Sequence, residues 1–599
     1  MNMTFWKTFW ASLLASVASG LIVLVLFFVI LNALVSSFDT MFESKQLTVK
    51  ENTVLHMELN GLIGDYTYAD FDPTTFQMVK QFGLNDILDG LELAKNDEHI
   101  EGIFLNCSNV SAGMATVKEV RNALADFQAS GKFIVAYSEN YDKKAYYLSS
   151  VADELYVYPS GMLEFLGLGS ELVFLKGALE KLDVEMQIIR GSNNKFKSAV
   201  EPLLYDKMSE ANRLQTEKYL NALWGVMTKE IGASRGISEA ELNTIADSVW
   251  VRRAGDAVDY KMANGVKYYD EVLDILASKS STAEGEEVEL LSFQKYAMKK
   301  TKEDRTLAIL EDKNIAVIFA EGEIVDGSGE ANQIGGESLS ALIREARLDE
   351  DIKGVVLRVN SPGGSALASD IIWREVILTK AEKPVVVSMG DYAASGGYFI
   401  SCAADKIYAQ ENTLTGSIGV FGIIPYTGDM FKNKLGITFD RVQTNEHSVL
   451  SLNKRLSESE LKIIQEGVDD IYDDFISKVA EGRGMTKAEV DSIGQGRVWA
   501  GKDARDIGLV DEFGGLQDAI NDVAERAGIS QDSISIEYYP QGKNNELFDL
   551  LESLEEEEET SMTAQSHIEA QVKDIYNYLK TIGATEQYQA RLPYLLWIR

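Results

Sequence analysis

The stretch "GDYAASGGYFI" (390–400) sets one serine, Ser395, among small residues between a strand-like and a helix-like run. A serine that opens a helix beside small neighbours is suitably exposed to attack a carbonyl. A second stretch, "NSPGGS" (360–365), places Gly363 and Gly364 at a strand end. Glycines there let the backbone turn sharply and present its N–H groups, and two such amides aimed at one point form an oxyanion hole. Taken singly, each motif also reads as an ordinary tight strand–helix turn.

A serine nucleophile needs a base. The chain has four histidines, and none sits in a local carboxylate pattern that suggests a triad. His447 lies in the polar loop "VQTNEHSVL", His56 in a strand-like run, His99 in a helix–strand turn and His567 in the C-terminal tail. Lysine is the alternative base, and it needs a desolvated pocket that makes it give up its proton. The stretch "NNKFKSAVEP" (193–202) offers Lys195 and Lys197 in a small, apolar turn.

The elements around these residues occur twice. "AKNDEHIEGIFLNCSN" (94–109) resembles "ARLDEDIKGVVLRVNS" (346–361), an offset of 252 that also carries "VADELYVY" (151–158) onto "AADKIYAQ" (403–410). Further on, "SRGISEAEL" (234–242) matches "GRGMTKAEV" (482–490) at an offset of 248. A repeat of this length marks a duplicated module. The copies differ where chemistry would sit. Ser395 falls on Lys143, Gly396 and Gly397 fall on Lys144 and Ala145, and "NSPGGS" falls on "SNVSAG" (108–113). At an offset of 253, Lys197 falls on Leu450 and His447 on Asn194. The second copy keeps a serine that the first lacks, and the first keeps a lysine that the second lacks. That is the pattern of a dyad shared between two repeats, whereas a purely structural need for glycine would act on both copies alike.

Each copy reads as alternating strands and helices. The runs "GIFLNC", "KFIVAY", "GVVLRV" and "KPVVVSM" are short and rich in β-branched residues, as in strands buried on both faces of an α/β layer fold. Two long amphipathic stretches, one in each copy, end at glycine. With 599 residues, the chain is long enough for more than one domain. A formal charge of −36 argues against nucleic acid as a partner. Cys107 and Cys402 fall inside apolar runs and make neither a disulfide framework nor a metal site.

Thr8 to Phe38 carries no charge and includes "GLIVLVLFFVILNALV", long enough to cross a bilayer. The small residues precede the most apolar part, which favours an uncleaved anchor over a signal peptide. Lys7 before the span places the N-terminus inside and the bulk of the chain outside. The expected divisions are an anchor (1–45), a first repeat (46–290), a linker (291–306), a second repeat (307–543) and an acidic tail (544–599). The tail holds the run Glu555–Glu559 and ends in the apolar "ARLPYLLWIR", expected to dock on the core or a neighbour.

"FKSAVEP", "NSPGG", "DYAASGGYFI" and "GSIGVFG" (416–422), in this order and with the anchor, resemble the signal peptide peptidase A (protease IV) family in its long, tandem-repeat form. The resemblance covers roughly residues 50–540. It implies two tandem ClpP/crotonase-like α/β repeats after an N-terminal transmembrane helix. It implies a serine endopeptidase in which Ser395 is the nucleophile, Lys197 the general base and Ser417 the residue that orients the lysine. Gly363 or Gly364 would form the oxyanion hole with the Gly396 amide. The resemblance further implies a single-pass protein of the bacterial inner membrane, with its catalytic part on the extracytoplasmic side. Such proteins assemble as homo-oligomers, tetramers for this form, and need no cofactor or metal. Their substrates are cleaved signal peptides and other apolar peptides. Two other readings fit parts of the pattern. A crotonase-like enzyme acting on acyl-CoA would use the same amides without pairing Ser395 and Lys197, and an inactive membrane-anchored scaffold would need neither.

Overall fold

The computed structural model describes residues 49–599 apart from 60, 67, 73–76, 284–285, 309–312, 331, 541–588 and 592–599. The expected anchor and most of the acidic tail lie outside the described residues. Among the described residues, no helix is long and apolar enough to cross a membrane.

The first copy supplies β1 (Thr53–Met57), the hairpin β2 (Tyr68–Asp72) and β3 (Gln77–Gln81), then β4 (Ile100–Leu105), β5 (Phe133–Tyr141), β6 (Glu154–Leu163), β7 (Glu185–Arg190), β8 (Gly265–Val266) and β9 (Leu290–Ser292). Six of these form one sheet in the order β8-β6-β5-β4-β1-β9, with every pairing parallel. The segment expected as a linker is a helix, Phe293–Ala308, packed on the Leu84–Asn96 helix. The approach is close: a Cβ on Gly90 would lie 2.5 Å from Ala297 Cβ.

The second copy supplies β10 (Ile315–Glu321), β11 (Glu323–Val325), β12 (Gln333–Gly335), β13 (Gly354–Ser361), β14 (Gly363–Ser365), β15 (Val385–Ala394), β16 (Lys406–Ala409), β17 (Leu414–Gly416), β18 (Phe421–Tyr426), β19 (Val498–Ala500), β20 (Glu512–Phe513) and β21 (Ile536–Tyr539). Its main sheet runs β19-β17-β15-β13-β10-β21, and β16 joins β15 to β20. Side chains alternate between its faces, as the twofold period of a strand requires. Val355, Leu357 and Val359 face the helices Ala366–Lys380 and Glu458–Arg483. Val356, Val317 and Val386 face Leu516, Ile520 and Val523 of the Leu516–Ala527 helix. Cover on both faces is why the strands read as continuous apolar runs.

A third sheet crosses between the copies in the order β12-β11-β14-β22-β18-β7, where β22 is Gln589–Arg591 from the C-terminal segment. β7 belongs to the first copy and pairs antiparallel with β18 of the second over six residues, Glu185–Arg190 against Phe421–Tyr426. This sheet carries a first-copy loop into the second copy.

Candidate active site

β15 ends at Ala394, and the Gly396–Ser401 helix begins two residues later. Ser395 makes the turn between them with φ 57° and ψ −113°, a conformation that crowds an L side chain against its own backbone. Neighbouring bonds hold it there. The Ser395 amide donates to the Gly416 carbonyl at 2.8 Å, and the Ser395 carbonyl accepts from Phe399 N at 2.8 Å. The helix also lies hard against the end of β13. A Cβ on Gly397 would sit 2.7 Å from the Ser361 carbonyl oxygen. "ASGG" and "NSPGG" are therefore two sides of one contact.

Lys197 arrives from the other copy. After β7, the chain is pinned to the second copy by Phe196 N donating to the Gln495 carbonyl at 2.8 Å. Gln215, on the Glu210–Arg235 helix, clamps the same loop. Its Nε2 donates to Phe196 O at 3.1 Å and to Ser198 Oγ at 2.7 Å, while its Oε1 accepts from Val498 N at 3.2 Å. Lys197 Nζ then lies 2.7 Å from Ser395 Oγ, 3.1 Å from Ser417 Oγ and 3.0 Å from the Ser417 carbonyl oxygen. Lys197, Ser395 and Ser417 are each 0% exposed. Beside the lysine lies a small apolar cluster of Ala199, Val200 and Phe421. Burial away from water disfavours an ammonium, and these three contacts are with two hydroxyls and a carbonyl, none of them charged.

The sequence-predicted glycines occupy the same corner. Gly363 has φ 98°, open to glycine, and its amide donates to Ser361 Oγ at 3.2 Å within its own turn. Gly364 pairs with Ile324 so closely that a Cβ would lie 1.9 Å from the Ile324 carbonyl oxygen. Gly396 is the first residue of its helix, so its amide has no intrahelical acceptor. Lys195, the other lysine of the loop, is exposed, with Nζ over the Phe196 ring.

A serine hydroxyl donating to or accepting from a buried amine is the arrangement of a nucleophile and its base. Comparison with known proteins gives the family. The model of peptidase family S49 matches this chain twice, over residues 126–282 and 377–530. The chain belongs to peptidase family S49. Lys197 falls in the first S49 match and Ser395 and Ser417 in the second. Among relatives of this S49 chain, Protease 4 of Salmonella typhi is 37% identical over 76% of the chain and 73% of the relative. Protease 4 of Haemophilus influenzae is 32% identical over 86% of each. The chloroplastic serine protease SPPA of Arabidopsis thaliana is 31% identical over 83% of the chain and 72% of the relative. A solved ClpP1 variant of Listeria monocytogenes aligns with 36% of the chain at 16% identity and a TM-score of 0.24, too low to bear on the fold. The S49 match makes the chain a serine peptidase.

The described histidines are engaged elsewhere. His447 faces Glu460 at 3.8 Å, His99 bonds Asp97 at 3.1 Å, and His56 stacks on Phe104 with ring centroids 4.9 Å apart. His567 lies outside the described residues. Burial pushes the thiols of Cys107 and Cys402 up to about 12, which leaves them poor nucleophiles.

Several residues that build this S49 site were not singled out from sequence. Asp391, inside "GDYAASGG", reaches across to the first copy and caps its Met114–Ala129 helix. Its Oδ1 accepts from Ala115 N at 2.8 Å and Thr116 N at 3.0 Å, and its Oδ2 from Thr116 Oγ1 at 2.7 Å. Gly113 is the price of that approach, since a Cβ would fall 2.0 Å from Asp391 Cγ. The signal was a lone acid ahead of the small residues, readable only once its partner was known. Gly496, with φ +78°, packs flat on the lysine: a Cβ would fall 2.4 Å from Lys197 Cβ. In the first copy, the positions matched to Ser395 and Gly396 hold lysines that are tied down. Lys143 Nζ bonds the Gly167 carbonyl at 3.1 Å and Lys144 Nζ the Ala112 carbonyl at 2.6 Å.

Proposed function

We propose that this S49 peptidase is a membrane-anchored endopeptidase working through a Ser395/Lys197 dyad, and that it degrades spent signal peptides at the extracytoplasmic face of a bacterial plasma membrane. The observation that carries the reading is the 2.7 Å contact between Lys197 Nζ and Ser395 Oγ, made between two copies and sealed from water. The uncharged run 8–38 supplies the anchor, and the names of the Protease 4 relatives support peptide hydrolysis. A putative signal peptide peptidase of Enterococcus faecium, 36% identical over 38% of the chain, supports the choice of substrate. By the same family resemblance, the repeats are ClpP/crotonase-like and the chain assembles as a homotetramer.

In the proposed mechanism, neutral Lys197 takes the Ser395 proton as Oγ attacks a peptide carbonyl carbon. Ser417 Oγ and its carbonyl receive the other lysine protons and fix the amine's direction. The oxyanion is held by the Gly396 amide together with an amide of Gly363 or Gly364. Gly363 must release Ser361 Oγ to take part. Lys197 then protonates the leaving amine, and water, deprotonated by the same lysine, hydrolyses the ester. No acyl-CoA step is needed, and an inactive scaffold would have no reason to keep the two halves together. The test is incubation of the full chain, in detergent, with a synthetic signal peptide. Cleavage by the wild type and none by Ser395→Ala supports the reading. Equal cleavage by both overturns it.

A further inference from the structure

The two copies also correspond helix for helix. Glu210–Arg235 and Glu458–Arg483 each have 26 residues, a serine N-cap and a glycine C-cap in the left-handed region. Matching the caps Ser209 and Ser457 gives an offset of 248, which sets Asn212 on Glu460 and Gln215 on Ile463. The first of these pairs makes the same contact in both copies. Asn212 Nδ2 donates to Glu201 Oε2 at 2.9 Å, and Glu460 Oε1 accepts from Lys454 Nζ at 2.8 Å. Lys454 is the residue matched to Glu201 at the offset of 253. That contact is scaffold, kept by both copies with different side chains. Gln215 and Ile463 have nothing in common: Gln215 is 1% exposed and Ile463 is 55% exposed. At this position, the buried amide stands only in the copy that supplies the lysine.

We propose that Gln215 is a positioning residue for catalysis, a strut that fixes Lys197 against the strand supporting Ser417. This rests on Lys197 being the base of Ser395. Nε2 holds Phe196 and Ser198, the residues on either side of Lys197, and Oε1 holds Val498. Val498 opens β19 and pairs with Gly416, the residue before Ser417. Beside it, Ser417 N donates to the Arg497 carbonyl at 2.7 Å, and Gly496 N donates to the Ile418 carbonyl at 2.7 Å. One side chain of the first copy therefore links the base to the backbone that carries its orienting serine. The partners demand an amide. Phe196 O accepts and Val498 N donates, so the group between them must donate at one end and accept at the other. A carboxylate of the same shape would set an oxygen against Phe196 O, and a thioether would leave both backbone groups unpaired. A base must lie within hydrogen-bond reach of the proton it takes, and a misplacement of about 1 Å costs about 100-fold in rate.

The test compares the full chain in detergent as wild type, Gln215→Met and Gln215→Glu. Each hydrolyses a synthetic signal peptide well below its own melting temperature, with circular dichroism as the check on folding. Both substitutions nearly keep the volume of the side chain. The inference expects kcat to fall about 30-fold or more in both variants, with KM within about 3-fold of wild type, because the lost contact acts on the base and not on the bound peptide. A glutamine that served the scaffold alone would lower the melting temperature and leave kcat of the folded chain unchanged. Folded variants with kcat within about 3-fold of wild type, a loss carried by KM alone, or failure of both variants to fold overturns the strut. Its failure is distinct from failure of the dyad. Wild-type kcat in Gln215→Met with no hydrolysis by Lys197→Ala would sink the strut and spare the dyad, whereas hydrolysis that survives Lys197→Ala would sink the dyad itself.

Discussion

Removing Arg358 should unsettle both copies at once. Its side chain is fully buried on β13, with Nε 2.9 Å from Asp65 Oδ1 and Nη1 donating to Ser388 Oγ at 2.8 Å. Nη2 lies 2.8 Å from carboxylate oxygens of both Asp65 and Glu119, first-copy residues that are themselves buried. Those Nη2 contacts are ion pairs without the alignment of hydrogen bonds. Burial pushes the Glu119 carboxyl up even beside the guanidinium. The guanidinium itself is moved above its ordinary value: burial opposes the charge, and the Asp65 and Glu119 carboxylates outweigh it. The two directions disagree about how favourable the cluster is. The arginine's charge persists at every working pH, so the cost of losing it is set by the carboxylates left behind. Arg358→Met keeps the volume and strands two buried acids, which costs about 3–5 kcal/mol. At about 2–4 °C per kcal/mol the apparent Tm falls by about 10 °C at pH 8. The stranded Glu119, which burial already pushes up, then has a folded pKa above its unfolded one. Stability from such a group is fully present below the unfolded value and is lost as pH rises, so the deficit shrinks toward pH 5. Calorimetry at pH 5 and pH 8 reads both effects, and adding Asp65→Asn with Glu119→Gln should recover much of the loss. A variant within 2 °C of wild type, or a deficit that grows toward acid, would refute the reasoning.

Gly496→Ala should push the Lys197 backbone aside, because the new Cβ would lie 2.6 Å from Lys197 Cα. A displacement of about 1 Å is expected to lower kcat about 100-fold with little change in KM, read by steady-state kinetics. Glu321, whose Oε2 accepts the Asp65 amide at 3.1 Å, has its carboxyl raised to about 8 by burial and then by Asp65. Its folded pKa lies above the unfolded value, so its contribution is complete below about pH 4.5 and is lost as pH climbs to about 8, by up to about 5 kcal/mol. Glu321→Gln should therefore flatten the fall in Tm between pH 5 and 8, and an unchanged slope would count against it.

The layered α/β architecture was legible because β-branched runs of strand length and glycine-ended amphipathic stretches leave few alternatives. Ser395 and Lys197 were legible because the duplication supplied an internal control: each stands where its sister copy has something else. The contacts that hold them were not. Gln215 and Gly496 act on the Lys197 loop from distant parts of the chain, and a glutamine on a long helix carries no pattern. Asp391 was hidden in plain view, since capping a helix of the other copy needs the three-dimensional pairing to be known. The C-terminal segment was legible only as apolar and unrepeated. Its place beside β14 follows from backbone pairing, which tolerates almost any side chains.

The central claim is that Lys197 and Ser395 act as one unit, and a double-mutant cycle on peptide hydrolysis tests it most directly. Residues of a shared catalytic unit are strongly non-additive. Ser395→Ala and Lys197→Ala should each lower kcat by about 1,000-fold or more, with melting temperatures close to wild type, and the double variant should be no slower than either alone. Losses that multiply in the double variant, or near-wild-type hydrolysis by either single variant, would contradict the account.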